Sequence, residues 1–331
     1  MKKIEISAYG APEEVAGCVE APELDSPGPG EVVFDVLAFP INPADLSFVR
    51  GNYRLHPTLP ATPGAECVGR IREVGAGVTA LKPGDLVINM QRENWAQARR
   101  VSAEDAVPIP AGLDIAQAAM LRTNPPTAQL LLEDHVALNP GDWVIQNVAN
   151  SAVGRHAIVI AKSRGWRTIN VVRRDDVTAE LRDLGADAVV PDGPDLPERA
   201  RDAAGGAPIR LGIDAISGEA TRRIADSVAD EGVVVNYGSL SGQDPVVGRA
   251  ALTQRGVMLT GFMLGRGLAK RSPQQVRALY AELGEKLRSG ALKAPIDSFY
   301  PIEDIRQALV HAQQAGRHGK ILVLPNGKLP Q

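Results

Sequence analysis

The stretch from Gly51 to Ile71, GNYRLHPTLPATPGAECVGRI, places a tyrosine, a histidine, a glutamate and a cysteine close together among prolines and glycines. Tyr53 can donate a proton or a hydrogen bond, Glu66 can accept one, and His56 and Cys67 are metal-ligand types. Three readings are therefore open: a metal site, an acid/base site, or a loop without chemistry. Cys67, followed by Val68, also reads as a small buried apolar residue of a strand, and His56, between Leu55 and Pro57, as a loop histidine.

A second candidate is ANSAVGRHA, positions 149–157, directly after the apolar run DWVIQNVA. A strand, a turn of small residues and a helix aim backbone N–H groups and the positive helix end at an anion, which suits the pyrophosphate of a dinucleotide. The glycine pattern is incomplete, since only Gly154 is present and Ala152 stands where closer backbone approach would favour glycine. A plain strand-to-helix turn has the same outline. Arg173 lies about twenty residues past Gly154, where an acidic residue would hold the ribose 2′-hydroxyl of NAD, and Arg174 follows it. Two cations there suit a 2′-phosphate and favour NADPH. The alternative is a solvated pair facing Asp175 and Asp176.

These residues need elements to position them. From residue 1 to about 120 the chain consists of short apolar runs punctuated by Gly and Pro, and Val32, Phe34, Val36 and Ala38 alternate as in a half-buried strand. This half reads as β-rich and antiparallel. From about residue 121 strands and helices alternate. DWVIQNVA, RTINVVRR, GADAVV, RLGIDAIS, GVVVNYG and GVMLTGF are six candidate strands. The first is followed by a helix with Val153, Ala157, Ile160 and Ala161 on one face, closing at Gly165. Such alternation predicts a Rossmann-type, doubly wound parallel sheet, with ligands at the strand carboxyl ends. A helix near Pro273–Leu287 and a last strand, GKILVLP, complete the chain, and that strand is expected to return to the first domain.

At 331 residues two domains are expected. The balance of 36 basic against 39 acidic residues, net charge -3, gives no general attraction to nucleic acid. Two cysteines cannot build a disulfide framework or a four-cysteine metal site, which suits a reducing cytoplasm. Met1-Lys2-Lys3 leads straight into the Ile4, Ile6 alternation without a signal-like apolar run, and no run reaches the ~18 apolar residues needed to span a bilayer. The expectation is a soluble cytoplasmic protein without membrane or nucleic-acid partners.

Over nearly its whole length the chain resembles the medium-chain dehydrogenase/reductase superfamily. The segments that carry this are INPADLSFVRGNYRLHPTLPATPGAE, TNPPTAQLLL, GDWVIQNVANSAVG and GWRTINVVRR, in register. Within the superfamily they are most similar to the mitochondrial-type trans-2-enoyl-thioester reductases. The resemblance implies an α/β protein with a GroES-like catalytic domain over 1–120, completed by about 267–331, and a Rossmann NADPH-binding domain over 121–266. Zinc members carry a cysteine early in the segment that reads INPADL here, and a Gly-His-Glu where this chain has Gly64-Ala65-Glu66. Pro43 and Ala65 cannot bind zinc, so no metal is expected.

By the same resemblance Tyr53 faces the substrate beside the nicotinamide, with Asn42 a second candidate catalytic residue. A surface tyrosine capping a turn is the alternative for Tyr53. Cofactor contacts are implied for Asn124, Asn150, Ser151, Ala152, Val153 and Gly154, and for Arg173 and Arg174 at the 2′-phosphate. Tyr237, Gly238, Ser239 and Leu240 after the fifth strand, Phe262, Met263 and Leu264 near the nicotinamide, and Lys320 complete the set. Met263 and Ala152 depart from the subgroup, which has tryptophan and glycine there.

The implied activity is NADPH-dependent reduction of the C=C bond of a 2-enoyl thioester, presented on CoA or acyl carrier protein. A quinone or general enone reductase uses the same metal-free fold, and Asn42 and Asp45 fit it equally well. A non-enzymatic NADPH binder would have no use for a proton donor at Tyr53. Family resemblance also implies a homodimer joined through GVMLTGF, whose exposed edge would otherwise be an unpaired template.

Overall fold

The computed structural model describes residues 1–329. Contacts group the chain into two compact units, Met1–Thr123 with Arg277–Gln331, and Asn124–Val276.

The first unit begins with β1 (Lys2–Ile6) and β2 (Ala16–Glu20), an antiparallel pair. The long strand β3 (Glu31–Pro40) follows, then β4 (Val68–Val74), β5 (Leu86–Asn89), β6 (Ala98–Ser102) and β7 (Ala106–Pro108). β3 pairs antiparallel with both β4 and β6. Val32, Phe34, Val36 and Ala38 are buried as expected, but so are Val33 and Phe39. β3 is thus more than half-buried. One cause is visible at Phe39, whose ring stacks on that of Trp95 with centroids 5.7 Å apart.

The second unit is built on β8 (Trp143–Gln146), β9 (Arg167–Val172), β10 (Ala188–Pro191), β11 (Ile209–Asp214), β12 (Val233–Asn236) and β13 (Met258–Gly261). They form an all-parallel sheet in the order β10-β9-β8-β11-β12-β13. The order reverses between β8 and β11, the switch point of a doubly wound sheet. The helix Ala152–Ser163 follows β8 after the predicted turn. Ser151 caps it, its Oγ accepting from the Gly154 N–H at 3.1 Å, and Gly165 ends the segment at φ 75°.

The chain then gives the first unit β14 (Ile296–Pro301) and β15 (Lys320–Leu324). β15 lies antiparallel to β3, with Leu322 opposite Pro40 and Val323 opposite Phe39, so the closing strand does join the first domain's sheet. β14 pairs parallel with β15, an exception to the antiparallel reading. A parallel neighbour needs a crossover, and the helix Ile305–Gln313 supplies it. That helix was not foreseen, although Ile305, Ala308, Leu309 and Ala312, all buried, repeat at helical spacing. The helix Asn124–Glu133 was hidden differently: nearly every residue in it is buried, which leaves no amphipathic period, and it opens Asn-Pro-Pro. No helix among the described residues is long and apolar enough to cross a membrane.

Gly154 is where this packing is least tolerant. A Cβ there would lie 2.5 Å from the carbonyl oxygen of Ala149, a backbone atom that cannot swing away. Gly154→Ala is expected to destabilise the protein by roughly 1–3 kcal/mol through overpacking. Urea unfolding measures this, and an unchanged midpoint would show that the turn has room.

Candidate active site

INPAD folds locally for reasons its letters state. Asn42 is the N-cap of the helix Pro43–Val49, proline fills the first position, and Asp45 stands three residues on. The Asn42 N–H donates to Asp45 Oδ2 at 3.0 Å, closing a capping box. Both side chains are buried. The other Asp45 oxygen accepts from the Ala65 N–H at 2.8 Å, tying the helix start to the loop that carries Glu66.

Glu66 is fully buried and satisfied on both oxygens. Oε1 accepts from Asn42 Nδ2 at 2.7 Å, and Oε2 from the Thr123 N–H at 2.9 Å. Lys320 Nζ donates to Asn42 Oδ1. The Asn42 amide therefore stands between an acid and a base, donating to one and accepting from the other. Burial pushes the Glu66 carboxyl up to about 7, against the Asn42 hydrogen bond and the Lys320 charge, which pull it down. Burial likewise brings the Lys320 ammonium down to about 8, with Glu66 opposing. Asp45 is also raised by burial, and Arg92 is the first of the groups that counter it.

Tyr53 is half-buried, its ring packed against the hydrophobic core of this unit, so it is not merely a surface residue capping a turn. The Arg92 guanidinium lies 5.0 Å from the ring centroid. No hydrogen bond from a described residue engages the hydroxyl. His56 is an exposed loop histidine with Nε2 3.0 Å from the Gly51 carbonyl. Cys67 is buried as expected but sits just before β4 rather than within it, and its Sγ donates to Asn94 Oδ1 at 3.2 Å. Burial pushes its thiol up to about 12, far from a nucleophile's range. Pro43 opens a helix and Ala65 anchors Asp45. Among the described residues no group of three or more His, Cys, Asp or Glu side chains is placed to hold a metal ion.

Of the other candidates, all but Asn124 and Lys320 gather at strand carboxyl ends of the second unit. After β8 come Asn150, Ser151, Ala152, Val153 and Gly154, preceded by Val148 at φ 50°, a strained value for a β-branched residue. Gly154, closed to any Cβ, holds helix and strand in the contact that the third fingerprint glycine serves, so the turn fits a dinucleotide despite Ala152. After β9, Arg173 and Arg174 are exposed, with Arg174 Nε 3.3 Å from Asp176 Oδ1.

Tyr237, Gly238, Ser239 and Leu240 follow β12. A Cβ on Gly238 would lie 2.7 Å from the Ala215 carbonyl, and Leu240 N–H donates to that carbonyl at 3.2 Å. Phe262 follows β13, its N–H donating to the Asn236 carbonyl at 2.8 Å. Met263 then caps the helix that Leu264 begins. Asn124 is buried with no hydrogen-bond partner on Nδ2 among the described residues, a donor left available to a ligand. Lys320 belongs to the first unit, where its ammonium is engaged by Asn42.

Two features escaped the sequence reading. One is Arg92, which sits in the polar loop MQRENW and reads there as solvated. The other is Asp214, buried at the end of β11 and bonded by Asn147, Ile216, Ser217, Thr221 and Asn236. The aspartate ending RLGIDAIS was visible, but its partners have no fixed spacing.

Residues 28–113 match the alcohol dehydrogenase GroES-like domain family, and residues 152–283 the zinc-binding dehydrogenase family. The mitochondrial enoyl-[acyl-carrier-protein] reductase of Bos taurus is 35% identical, over 94% of this chain and 86% of its own length. The chain belongs to the zinc-free branch of the medium-chain dehydrogenase/reductase superfamily. It is an oxidoreductase. Other members of the superfamily superpose closely. The Escherichia coli quinone oxidoreductase complexed with NADPH has a TM-score of 0.88 at 26% identity, covering 98% of this chain and 100% of the other. Etr1p, in its complex with NADP and crotonyl-CoA, has a TM-score of 0.86 at 25% identity, covering 98% and 99%.

In this oxidoreductase the buried acid and base make stability depend on pH with opposite signs. Glu66 titrates at about 7 when folded against an ordinary 4.5, so the folded protein keeps a proton the unfolded chain has lost. Its contribution to stability is complete below about 4.5 and falls as the pH rises to about 7. Lys320, at about 8 against 10.5, acts in the reverse sense at higher pH. Glu66→Gln preserves an acceptor for Thr123 and removes the titration. The wild-type minus variant unfolding free energy in urea is expected to fall between about pH 5 and 7.5. A difference independent of pH would show that Glu66 does not hold its proton in this range.

Proposed function

We propose that this oxidoreductase uses NADPH to reduce the C=C bond of a 2-enoyl thioester carried on CoA or acyl carrier protein. The observation that carries the reading is Tyr53, a phenol held by its ring with its hydroxyl uncommitted. It stands in a chain alignable over 94% of its length with an enoyl reductase. The cofactor, when bound, supplies hydride for the β-carbon. The Ala149–Gly154 turn and the Ser151-capped helix offer N–H groups to its pyrophosphate, and Arg173 with Arg174 its 2′-phosphate contacts.

Negative charge then develops on the thioester carbonyl oxygen, and a proton must reach the α-carbon. Tyr53 serves this step by donating a hydrogen bond to that oxygen or the proton itself. Asn42 ties the first unit's buried polar residues together by joining Glu66 and Lys320. Hydride at the β-carbon and proton at the α-carbon form two new C–H bonds as the C=C π bond is lost, leaving a CH–CH single bond, with no metal required. The protein pairs with a second copy along β13, an edge strand of its sheet where Met258 is 58% exposed.

A second reading, reduction of quinones or simple enones, is favoured by the likeness to the Escherichia coli enzyme. Initial rates of NADPH oxidation with crotonyl-CoA and with 1,4-benzoquinone decide between them. Faster turnover of the thioester supports the proposal, and activity on the quinone alone overturns it. Tyr53→Phe is expected to lower turnover with crotonyl-CoA about 10²-fold with little change in NADPH affinity by fluorescence titration. Retention of more than about half the wild-type turnover would remove Tyr53 from the mechanism.

For the cofactor, changing Arg173 and Arg174 together to alanine is expected to raise KM for NADPH about tenfold or more while leaving that for NADH nearly unchanged. Charge-assisted bonds to the 2′-phosphate set that scale. Equal effects on the two cofactors would show that the pair does not read the phosphate.

A further inference from the structure

The loop between β5 and β6 is held at many points, and the constraint converges on one side chain. Asn89 Nδ2 donates to Asn94 Oδ1 at 2.7 Å, and the Gln91 N–H donates to Asn89 Oδ1 at 3.0 Å. Asn94 Nδ2 returns to the Gln91 carbonyl at 2.8 Å, and the Arg122 guanidinium donates to the Met90 carbonyl at 2.6 Å. Glu93, a non-glycine residue, takes a left-handed conformation at φ 68°. A loop does not accept that conformation without a compensating constraint.

Between these anchors Arg92 reaches inward. Its guanidinium stands 5.0 Å from the Tyr53 ring centroid and 5.3 Å from that of Phe48. One terminal nitrogen lies 3.7 Å from Asp45 Oδ1, an ion pair too long for a hydrogen bond, and that nitrogen is buried with no hydrogen-bond partner among the described residues. If Arg92 served only to neutralise Asp45, closing to hydrogen-bond distance would serve better. Its position instead divides it between the carboxylate and the two aromatic faces. A planar cation over an aromatic face is held by the ring's negative quadrupole, and it holds the ring in return.

We propose that Arg92 is a positioning residue for Tyr53, its guanidinium fixing the plane of the phenol so that the hydroxyl stays aimed for donation. This rests on the role proposed for Tyr53. Asp45, fixed by the Asn42 and Ala65 N–H groups, gives the cation its footing. The helix that carries Phe48, the Tyr53 loop and the Arg92 loop thereby set the orientation of one ring.

A double-mutant cycle with crotonyl-CoA as substrate tests this. Arg92→Gln is expected to lower kcat about tenfold with KM for NADPH unchanged, since small misplacements of a reacting group cost on this scale. In a Tyr53→Phe background the same change should cost less than about twofold, because the hydroxyl it positions is gone. Arg92→Lys, which keeps the charge without the plane, should recover only part of the loss. Equal losses in both backgrounds, or none in the wild type, overturn the proposal. Normal turnover of Tyr53→Phe alone would instead defeat the reading of Tyr53, and the single variant shows this separately. If Arg92→Gln does not fold, the cycle is run with Arg92→Lys, where additivity again overturns the proposal and its absence supports it.

Discussion

A carboxylate and an ammonium taken out of water together must be satisfied atom by atom, and the first unit of this protein is organised around that constraint. Glu66 and Lys320 are both buried, and each is hydrogen-bonded to Asn42 rather than to the other. Asn42 stands between them. The amide supplies a donor for the acid and an acceptor for the base from two separate atoms of one short side chain; an aspartate there would add a third buried negative charge beside Asp45 and Glu66. The consequence is topological. The helix cap at 42–45, the loop at 64–67, the peptide at Thr123 and the closing strand β15 are joined through a few polar atoms. β15 therefore contributes to the site as well as to the sheet.

The second unit handles a buried carboxylate chiefly with neutral hydrogen-bond donors. Asp214 takes donors from the ends of β8 and β12, from the turn after β11 and from the helix Glu219–Ser227 that follows it: Asn147 Nδ2 at 2.6 Å, Asn236 Nδ2 at 2.8 Å, the Ile216 N–H at 2.9 Å and Thr221 Oγ1 at 2.6 Å. Oriented dipoles alone can hold a carboxylate when there are enough of them, and their number makes the array stiff. The segments that leave these strand ends, Ala149–Val153 and Tyr237–Leu240, thus start from fixed points. Such support is what a ligand-binding turn requires, because a cofactor's reach is set by the backbone from which the turn springs.

What was legible in the sequence was local. Apolar runs broken by glycine marked each strand of the parallel sheet, and Ser151-Ala-Val-Gly154 carried both cap and close-packing glycine within one turn. INPAD likewise contained its own explanation as N-cap, proline and acid. The partners of Glu66 were not legible, because Thr123 and Lys320 come from distant positions, and no periodicity relates position 320 to position 42. Arg92 was illegible for another reason. A charged residue in a polar loop is usually solvated, and only the fold shows that this loop turns the side chain onto the Tyr53 ring. The helix Ile305–Gln313 was readable and was passed over between two strands.

The same network explains why the change from a zinc site runs deeper than two letters. At position 43 proline fixes φ at the first turn of the helix whose cap orients Asn42, a role a cysteine fills less well. At position 65 the alanine is 4% exposed and its N–H is committed to Asp45, so a histidine ring would have to be accommodated beside a buried carboxylate. Asp45 in turn is the footing of Arg92, whose guanidinium lies over Tyr53. The two positions thus lie on the path from the helix cap through Asp45 to the guanidinium beside the Tyr53 ring.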